Sequence, residues 1–494
     1  MTTPRAVFYA DASVAIGGGH VRRCMVLADA LAEAGWDITF VCSAGASAVV
    51  PALAQRGFAL IEPPAFAAAT RAPGFRCGLL VIDDYRLDAA FESGCRAWAE
   101  RILVIDDLAN RRHDCDVLLD QSPGRLRADY AALVPAEAEL LIGPSYALLD
   151  RRFRDARRQR KPAGSVRRVF VNCGTTDTAN ATGLALDALA AAKLGAAVDV
   201  VLGSAAPHLS AIRARLAATG PGAALHLDVD DMAGLMVDAD LAIGAGGVGA
   251  LERCALGLPS LVMTVADNQV GVAGALGAAG AVGYLGNVAG CSARELARAL
   301  QELAADAQLR DAMGKAGRAL VDGFGAARAR VSCYSPALAR DGRRVTLRPA
   351  TIADSALMFA WQSAPGIRKY ARNPAAPQPQ EHDQWLRAKL DDPDCLFNIV
   401  LSGEEPVGIL RFDKTSSGDA YEVSILIAAN RHGAGIGGCA LELGKRLLPA
   451  ERLIAAIHAE NLASIRMFER AGYRAIRPGE WALDPTAGRA GRGP

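Results

Sequence analysis

The stretch RAVFYADASVAIGGGHVRRCMVLADALAEAG, residues 5–35, decides how the first part of the chain folds. It begins with an apolar run typical of a buried strand, passes through a glycine turn and continues with apolar residues at helical spacing. That spacing predicts a helix that ends near Gly35 and buries one face, made of Val21, Cys24, Leu27, Ala28 and Leu31. Strand, glycine turn and helix in this order predict a parallel βαβ unit.

The same rhythm continues on both sides of a basic run, RRFRDARRQRKPAG at residues 151–164. Before it, the apolar strands GLLVIDDY and ERILVIDDLA end in paired acids, and after it the pattern restarts with RRVFVNCGTTD. Strands that are continuously apolar are buried on both faces, as in parallel sheets. We therefore predict two Rossmann-like halves, residues 1–155 and 163–332, facing each other across a cleft. The basic run is interpreted as a solvated helix end and linker, or as an attraction for an anionic nucleotide.

A third unit, residues 344–485, is predicted to be a smaller mixed α/β layer. The segment FNIVLSGEEPVGILRFDKT at 397–415 alternates as a β-hairpin, and YEVSILIA at 421–428 is a further strand. A glycine turn, a helix, another strand and the helix NLASIRMFERAG at 461–472 follow.

The composition excludes several classes of protein. The 494 residues include 54 Lys and Arg against 53 Asp and Glu, which gives no reason to expect a nucleic-acid partner. Hydrophobic residues make up 51% and charged residues 22%, so extensive disorder is excluded. Eleven dispersed cysteines, without a CxxC pair or a Cys/His cluster at zinc spacing, predict reduced thiols in a cytoplasmic protein and no metal.

Neither the N-terminus nor the longest uncharged stretch indicates a membrane protein. MTTPRAVFYADAS lacks the charged flank and apolar core of a signal peptide. The uncharged residues 268–293 are rich in Gly and Ala, and we interpret them as helix, turn and strand without membrane insertion. The oligomeric state is left open.

The glycine turn of the first half is a candidate phosphate site. Gly17, Gly18 and Gly19 let the backbone approach a ligand closely, at a helix N-terminus that favours anions. His20 follows and is a candidate general base, with a structural or ligand-orienting role as the alternative. Asp11, at the end of the preceding strand, could orient the imidazole or touch a sugar.

The second half carries polar groups at corresponding strand ends. They predict a nucleotide-sugar site between the halves. Glu252, on the helix after a glycine turn, suits ribose hydroxyls, with an ordinary surface glutamate as the alternative. The further candidates for substrate binding are Gly174, Thr175, Thr176, Asp177, Gly246, Gly247, Asn268 and Gln269.

Residues 1–335 resemble the UDP-sugar hydrolases of pseudaminic acid biosynthesis. The resemblance rests on DAS..IGGGHV.RC at 11–24, VIDDY at 81–85, VIDDLANRRHDCDVLLDQ at 104–121, IGPSYALL...F at 142–153, GTTDTAN at 174–180, ADLAIGAGG...LERC.LGLPSLV at 239–262 and ADNQ at 266–269. It implies a glycosyltransferase-B-like pair of Rossmann-type domains and metal-free attack of water on the anomeric carbon of UDP-2,4-diacetamido-2,4,6-trideoxy-β-L-altropyranose. UDP would be the leaving group.

The same resemblance assigns roles to individual residues. His20 would be the general base, Glu252 and Asn268 would contact nucleotide and sugar, and Arg23, Asp84 and Tyr85 would join the substrate site. Two departures are Tyr9, where the family often has Arg, and Val248 with Gly249, where it often has small hydroxyl residues. The second departure leaves the pyrophosphate to backbone N–H groups.

The third unit carries a second glycine turn, HGAGIG at 432–437, whose N–H groups suit a pyrophosphate. Glu422, on the preceding strand, is a candidate general base or an ordinary strand carboxylate. Residues 344–480 resemble the GNAT N-acetyltransferases, which bind acetyl-CoA between two splayed strands. The resemblance implies that acetyl-CoA is a cosubstrate, held by Ile425, Ile427, His432, Gly433, Ala434, Gly435, Gly437, Gly438, Asn461 and Ser464.

Three features of this unit concern its activity. His432 stands where the GNAT pattern has Arg or Gln. Phe468 stands where many members carry the tyrosine that protonates the leaving thiolate. His382 and Trp385 fall where related sugar-nucleotide acetyltransferases shape the acceptor pocket.

Together, the two resemblances imply a bifunctional enzyme that acetylates the 4-amino group of a UDP-amino sugar and then releases UDP. One alternative is a glycosyltransferase-B glycosyltransferase that uses the same cleft. Another is a nucleotide-sugar-binding protein with an inactive acetyltransferase-like domain, which Phe468 favours because a phenyl ring cannot donate a proton.

Overall fold

Three β-sheets carry the fold in the described part of the chain, which comprises residues 3–160, 164–219, 222–375 and 377–485. The structure is a computed structural model. The chain divides into two compact units, residues 1–32 with 36–329 and residues 33–35 with 330–494. The first unit contains sheets of seven and six strands, and the second contains a sheet of eight.

The seven-stranded sheet is parallel throughout. Its strands are β1 (Arg5–Ala10), β2 (Asp37–Val41), β3 (Ala59–Ile61), β4 (Leu79–Asp83), β5 (Ile102–Ile105), β6 (Val117–Asp120) and β7 (Glu139–Ile142). They lie in the order β3-β2-β1-β4-β5-β6-β7. The helices are α1 (Gly19–Glu33), α2 (Ala46–Val49), α3 (Pro51–Gln55), α4 (Pro63–Thr70), α5 (Ala89–Cys95) and α6 (Arg151–Ala156). Every residue of β4, β5 and β6 is buried, as continuous apolar runs predict.

The six-stranded sheet is also parallel. Its strands are β8 (Arg168–Asn172), β9 (Ala197–Leu202), β10 (Ala223–Leu227), β11 (Leu241–Ala245), β12 (Ser260–Thr264) and β13 (Gly283–Asn287). They lie in the order β10-β9-β8-β11-β12-β13. The helices are α7 (Ala181–Ala192), α8 (Leu209–Thr219), α9 (Met232–Val237), α10 (Val248–Leu256), α11 (Asn268–Ala278), α12 (Ala293–Ala305), α13 (Ala307–Leu320) and α14 (Gly325–Ser332).

The eight-stranded sheet is mixed. Its strands are β14 (Ala337–Leu338), β15 (Arg344–Pro349), β16 (Cys395–Ser402), β17 (Glu405–Lys414), β18 (Tyr421–Ile427), β19 (Leu453–Ala456), β20 (Arg474–Arg477) and β21 (Glu480–Leu483). They lie in the order β14-β15-β16-β17-β18-β19-β21-β20, and only β18 and β19 run parallel to each other. The helices are α15 (Ser355–Ser363), α16 (Pro379–Asp391), α17 (Ile436–Leu447) and α18 (Leu462–Arg470). The predicted fold class, paired Rossmann-type sheets followed by a mixed α/β domain, is confirmed.

The basic run at 151–160 is not a solvated helix end, which corrects that interpretation. Phe153 and Ala156 of α6 pack into the core of the second sheet. Arg157 is buried, and its Nη1 donates to the carbonyl of Val321 at 3.0 Å. Burial lowers the pKa of Arg160 to about 10, and its Nη1 lies 3.2 Å from the carbonyl of Val237 at the end of α9. Cations suit such carbonyls because the C-terminal end of a helix is negative. Residues 161–163 lie outside the described ranges.

The uncharged residues 268–293 form α11, a turn and β13, as interpreted from the sequence. Across the described residues, each helix is too short or too polar to span a bilayer. None of the eleven cysteines, all within those ranges, forms a disulfide.

Candidate active sites

The first candidate site lies where the two parallel sheets reverse their strand order. In the first sheet the reversal falls between β1 and β4, which pair at Ala10 and Asp83. In the second sheet it falls between β8 and β11, which pair at Asn172 and Gly244. Ligands of open α/β sheets bind beyond the carboxyl ends of the strands at such points. The loops that follow these four strands carry most of the candidate residues of the first unit.

His20, in the first turn of α1, is held by a buried carboxylate. Its Nδ1 lies 2.6 Å from Oδ1 of Asp83 at the end of β4. Burial alone would raise the pKa of Asp83, but Arg23 and His20 hold that pKa well below its ordinary value. An ionised carboxylate only accepts hydrogen bonds, so we assign the imidazole proton to Nδ1. Nε2 then keeps a lone pair and can accept a proton from a substrate.

Arg23 fixes the plane of the Asp83 carboxylate. Its Nε donates to Oδ2 at 2.6 Å and its Nη2 to Oδ1 at 2.7 Å. Its Nη1 donates to Oδ2 of Asp107 at 2.8 Å, so the buried guanidinium lies between two carboxylates. A bidentate pair of this kind restricts rotation of the carboxylate, and through it the orientation of His20. Arg23 therefore supports the site from within the first half instead of presenting its charge to a ligand.

Tyr85 joins the two halves of the first unit. Its hydroxyl donates to Oδ1 of Asp107 at 2.5 Å and accepts from Nδ2 of Asn268, at the start of α11, at 3.2 Å. Burial and the Asp107 carboxylate raise the pKa of Tyr85, so its hydroxyl stays protonated. The ring stands edge-on to the His20 imidazole, with 4.7 Å between the centroids. His20, Tyr85 and Asn268 thus come from three separate segments into one cluster.

Asp11 does not orient the imidazole, and Asp83 takes that place instead. Oδ1 of Asp11 accepts from the Ser43 hydroxyl at 2.7 Å and from the Ser43 backbone N–H at 3.1 Å. This bond joins the ends of β1 and β2. Asp84 is likewise paired, because Nη2 of Arg86 lies 2.5 Å from its Oδ2. Burial alone would raise the pKa of Asp84, and the bonds from Arg86 lower it.

The glycine turn of the first half approaches the second half closely. Gly17 has a φ of +82°, which favours glycine. A methyl group added to Gly18 would lie 2.8 Å from a Val50 methyl group and 3.8 Å from Oγ1 of Thr175. Gly19 opens α1 and has free space around its α-carbon. Thr175 of the second half therefore lies close to the glycine turn of the first half.

The CGTTD turn after β8 is only partly available to a ligand. Gly174 has a φ of +114°, and the carbonyl of Thr175 accepts from Gly203 N at 2.8 Å. Thr176 is buried. Asp177 accepts from the backbone N–H groups of Ala181 and Thr182, each at 2.9 Å, so it caps the start of α7. Asp177 is thus a structural cap in this geometry.

The glycine turn after β11 leads into α10, with Gly247 as its N-cap. A methyl group on Gly246 would lie 3.0 Å from the Ala273 methyl group, so α11 packs closely against this turn. Glu252 has neither a hydrogen bond nor an ion pair to another described residue. Burial raises its pKa, while the charge of Arg22 across the cleft opposes that rise. A desolvated carboxylate of this kind differs from an ordinary surface glutamate.

Gln269 supports the loop after β12. Its Oε1 accepts from the backbone N–H of Val265 at 3.1 Å, which closes the loop on the start of α11. Its neighbour Asn268 remains at the cleft and reaches Tyr85, as described above. The two amides of the ADNQ segment therefore have different tasks.

The second candidate site lies between β18 and β19. These parallel strands pair only at Tyr421 with Leu453 and at Glu422 with Ile454. Beyond those pairs β18 continues to Ile427, with Ile425 and Ile427 bonded to β17 on the other side. The two strands therefore splay apart and leave one edge of β18 open to an extended ligand.

The turn after β18 is shaped for close approach to an anion. Gly433 and Gly435 have φ values of +81° and +83°, and Gly435 is the N-cap of α17. Nε2 of His432 donates to the carbonyl of Ile427 at 2.8 Å, so the histidine closes the turn. The Ala434 carbonyl accepts from Arg340 N at 2.9 Å. Successive N–H groups at such a turn and helix start favour a pyrophosphate.

The remaining predicted contacts of this site line its helices. Gly437 packs against the sulfur of Met467 on α18, where a methyl group would approach to 2.6 Å. Gly438 has open space around its α-carbon. Asn461 caps α18, because its Oδ1 accepts from Ser464 N at 3.2 Å.

Glu422, on the open strand, is paired with Arg372. Nη2 of Arg372 lies 2.5 Å from Oε1 of Glu422, and the Arg372 side chain is 75% exposed. The pair is therefore accessible to solvent and can be exchanged for a ligand at little cost. The candidate base remains beside the splayed strands.

His382 is buried, so its side chain does not itself face solvent, and the role of His382 and Trp385 in an acceptor pocket stays a prediction. Nε2 of His382 lies 3.1 Å from the Ser355 carbonyl, and burial lowers its pKa. Trp385 packs under the Arg411 guanidinium, 5.2 Å from the ring centroid. Phe468 is also buried, with its ring 4.9 Å from that of Tyr473.

Two carboxylates of the first site, Asp83 and Asp107, are not among the residues predicted from the sequence. Each belongs to a pair of acids at the end of an apolar strand, in VIDDY and VIDDLA, and nothing in the local sequence distinguishes it from its neighbour. Only the fold shows that the first acid of one pair and the second of the other converge on Arg23.

Comparison with known proteins finds similarity to two kinds of protein. Residues 344–474 match the model of the acetyltransferase (GNAT) domain family. The spore coat polysaccharide biosynthesis protein SpsG of Bacillus subtilis is 28% identical over 334 residues, which cover 64% of this chain and 94% of that protein. The UDP-2,4-diacetamido-2,4,6-trideoxy-β-L-altropyranose hydrolase of Campylobacter jejuni is 26% identical over 234 residues, which cover 47% of this chain and 81% of that protein.

The chain is an enzyme. The chain is homologous over part of its length to a sugar-nucleotide hydrolase, and residues 344–474 match an acetyltransferase domain family, so the similarities support sugar-nucleotide processing and the use of acetyl-CoA. Among solved structures, MurG of Acinetobacter baumannii aligns with a TM-score of 0.45 and 15% identity over 65% of this chain and 96% of that chain.

Proposed function

We propose that the chain catalyses two consecutive steps on a UDP-amino sugar. The second unit transfers an acetyl group from acetyl-CoA to the 4-amino group. The first unit then hydrolyses the product, UDP-2,4-diacetamido-2,4,6-trideoxy-β-L-altropyranose, to UDP and the free sugar. The observation that carries the hydrolase proposal is the position of His20. Its Nδ1 is bonded to the ionised Asp83, while its Nε2 stays available where the strand order of the first sheet reverses.

In the proposed hydrolysis, Nε2 of His20 takes a proton from the attacking water. The water oxygen bonds to the anomeric carbon as the bond from that carbon to the β-phosphate oxygen breaks. Asp83 stabilises the imidazolium that forms, because its carboxylate lies 2.6 Å from Nδ1. The start of α1 and the glycine turns receive the departing diphosphate through backbone N–H groups, so the proposal needs no metal.

Tyr85 and Asn268 are suited to hold the sugar against His20. Each belongs to a different half, and together they make one hydrogen bond of 3.2 Å across the cleft. The Asn268 amide keeps acceptor and donor capacity for acetamido groups. We propose that substrate binding replaces this bond with bonds to the sugar.

In the proposed acetyl transfer, acetyl-CoA supplies the acyl group as a thioester. Residues 423–427 on the open edge of β18 and the turn from His432 to Gly438 would hold it. Glu422 would accept the proton of the acceptor amine, directly or through water, after Arg372 moves aside. Because Phe468 has no hydroxyl group, water would protonate the departing sulfur.

Incubation with UDP-2,4-diacetamido-2,4,6-trideoxy-β-L-altropyranose alone tests the hydrolase proposal. We expect UDP release without any acceptor, and His20→Ala should abolish it while the fold stays intact. UDP release that requires an added sugar or lipid acceptor would instead support a glycosyltransferase.

A nucleotide-sugar-binding protein with an inactive acetyltransferase-like domain is the second candidate, favoured by Phe468. Acetyl-CoA that neither raises the melting temperature nor yields an acetylated UDP-sugar would support it.

We further propose a cytoplasmic location, because the eleven cysteines form no disulfide.

A further inference from the structure

Arg22 is a cation at the first candidate site that forms no ion pair with a carboxylate among the described residues. It lies in the first turn of α1, where its backbone N–H donates to the Gly18 carbonyl at 3.0 Å. Its Nε is buried and has no hydrogen-bond partner among the described residues. A buried N–H group without a partner is rare and calls for an explanation.

Neighbouring arginines at the cleft are arranged differently. Arg23 lies between Asp83 and Asp107, and Arg86 is paired with Asp84. Arg56, which reaches the second half, lies 3.1 Å from Asp29 and 3.4 Å from Asp230. Against this background, Arg22 keeps its full charge available for a ligand.

The surroundings of Arg22 are the turns that would receive a diphosphate. A methyl group on Gly18 would lie 3.8 Å from Nε of Arg22 and 3.8 Å from Oγ1 of Thr175. On the opposite side of the cleft, the charge of Arg22 acts to lower the pKa of Glu252, although the two side chains form no ion pair within 4.0 Å. Arg22 therefore stands where the glycine turn of the first half meets Thr175 and Glu252 of the second.

We propose that Arg22 binds the diphosphate of the bound nucleotide and stabilises the charge that it gains in hydrolysis. The inference rests on the proposed function. When the bond from the anomeric carbon to the β-phosphate oxygen breaks, its electron pair stays on that oxygen and UDP departs. The water oxygen bonds to the carbon, and the water proton goes to Nε2 of His20. A guanidinium beside the departing oxygen favours this step because its interaction strengthens as charge develops.

The sequence at the start of α10 explains why the diphosphate would need an arginine. The start of α10 offers Val248 and Gly249, which have no hydroxyl groups for phosphate oxygens. Backbone N–H groups alone would meet a diphosphate with partial charges. A guanidinium adds a full charge and up to five donors, and charge-assisted bonds to phosphate are the stronger kind.

Titration calorimetry of Arg22→Met with uridine, UMP and UDP tests the proposal. We expect UDP binding to weaken by about 10- to 100-fold, uridine binding to stay within twofold, and Arg22→Lys to recover part of the loss. The rate of hydrolysis should fall in the same order. Arg56→Met, which removes an arginine already paired with two carboxylates, is the matched control and should leave UDP binding unchanged.

Two results would overturn the proposal. One is UDP binding by Arg22→Met within twofold of the unmodified enzyme. The other is an equal loss of uridine and UDP binding, because Arg22 would then act through Glu252 or the fold instead of the diphosphate. Loss of UDP binding in Arg22→Met combined with no hydrolysis by the unmodified enzyme would contradict the proposed function and leave the role of Arg22 standing.

Discussion

At the scale of single residues, the base function of His20 depends on the charge of Asp83. A carboxylate at 2.6 Å keeps the proton on Nδ1, whereas an amide could donate its own N–H to Nδ1 and move the proton to Nε2. The Asp83→Asn enzyme would then hold the imidazole in place but in the wrong tautomer.

We predict that Asp83→Asn lowers the rate of UDP release by about 100-fold or more, with little change in KM. Steady-state kinetics of UDP release measure this. Asp114→Asn, which alters a half-buried carboxylate paired with Arg96, is the control and should keep the full rate. A near-normal rate for Asp83→Asn would show that His20 does not rely on this carboxylate.

Asp83 also makes stability depend on pH. The pKa of an aspartate is about 3.9 in unfolded chains. In the folded protein, Arg23 and His20 hold the pKa of Asp83 well below that value despite burial. The ionised group therefore contributes its full stability above about pH 4, and the contribution is lost as the pH falls toward the lower pKa of the folded state.

The loss of stability in Asp83→Asn should accordingly be about 3 kcal/mol at pH 7 and smaller below pH 4, because protonation of Asp83 in the unfolded chain then offsets part of the stability that the ionised group gives the folded protein. Urea unfolding of both proteins at pH 7 and at about pH 3.5 gives the two differences. A difference that stays constant or grows at the lower pH would contradict the assigned charge.

At the scale of elements, the turn between β18 and α17 carries the acetyl-CoA proposal. Gly435 has a φ of +83°, and an alanine there would strain the turn by about 1–2 kcal/mol. We expect Gly435→Ala to raise the KM for acetyl-CoA by about 10-fold and to leave UDP release unchanged.

The matched control is Gly403→Ala in the hairpin between β16 and β17. Gly403 also has a positive φ, +62°, and open space around it, so the strain is similar but lies outside the turn. Kinetics of acetyl transfer in both variants separate the two effects. An equal rise in KM for both would mean that general destabilisation, and not the turn, weakens binding.

Much of the architecture could be predicted because the parallel strands are buried on both faces and therefore appear as continuous apolar runs. His20 could also be placed, since a glycine turn after such a strand marks the ligand edge of the sheet. The partner of its imidazole could not be predicted. Asp11 is closer in sequence, but its side chain turns to Ser43 at the end of the neighbouring strand. Asp83 is 63 residues from His20 and meets it only through the pairing of β1 with β4.

The basic run and His382 show the same limit. The many charges at 151–160 are typical of a solvated segment. Arg157 and Arg160 nevertheless donate hydrogen bonds to carbonyls of residues more than 70 positions away in the sequence. The position of His382 suggests a pocket, but its helix turns it inward to the Ser355 carbonyl. In both cases a distant backbone acceptor, invisible in the local sequence, decides where the side chain lies.

At the scale of the whole molecule, the two proposed activities use residues of two separate units. Substitutions that share no interaction partners act additively. We therefore expect His20→Ala to abolish UDP release from the diacetamido UDP-sugar and to keep acetyl transfer. Gly435→Ala should slow acetyl transfer when acetyl-CoA is limiting and keep UDP release from the diacetamido UDP-sugar. Coupled loss of both activities in either single variant would contradict independent sites.

The most direct measurement of the central claim is mass spectrometry of the products formed from UDP-4-amino-4,6-dideoxy-N-acetyl-β-L-altrosamine, with and without acetyl-CoA. We predict that the enzyme gives UDP and the free diacetamido sugar only when acetyl-CoA is present, and that His20→Ala accumulates the acetylated UDP-sugar. Equally fast UDP release without acetyl-CoA would contradict the order of the two steps, and the absence of any acetylated product would contradict the bifunctional account.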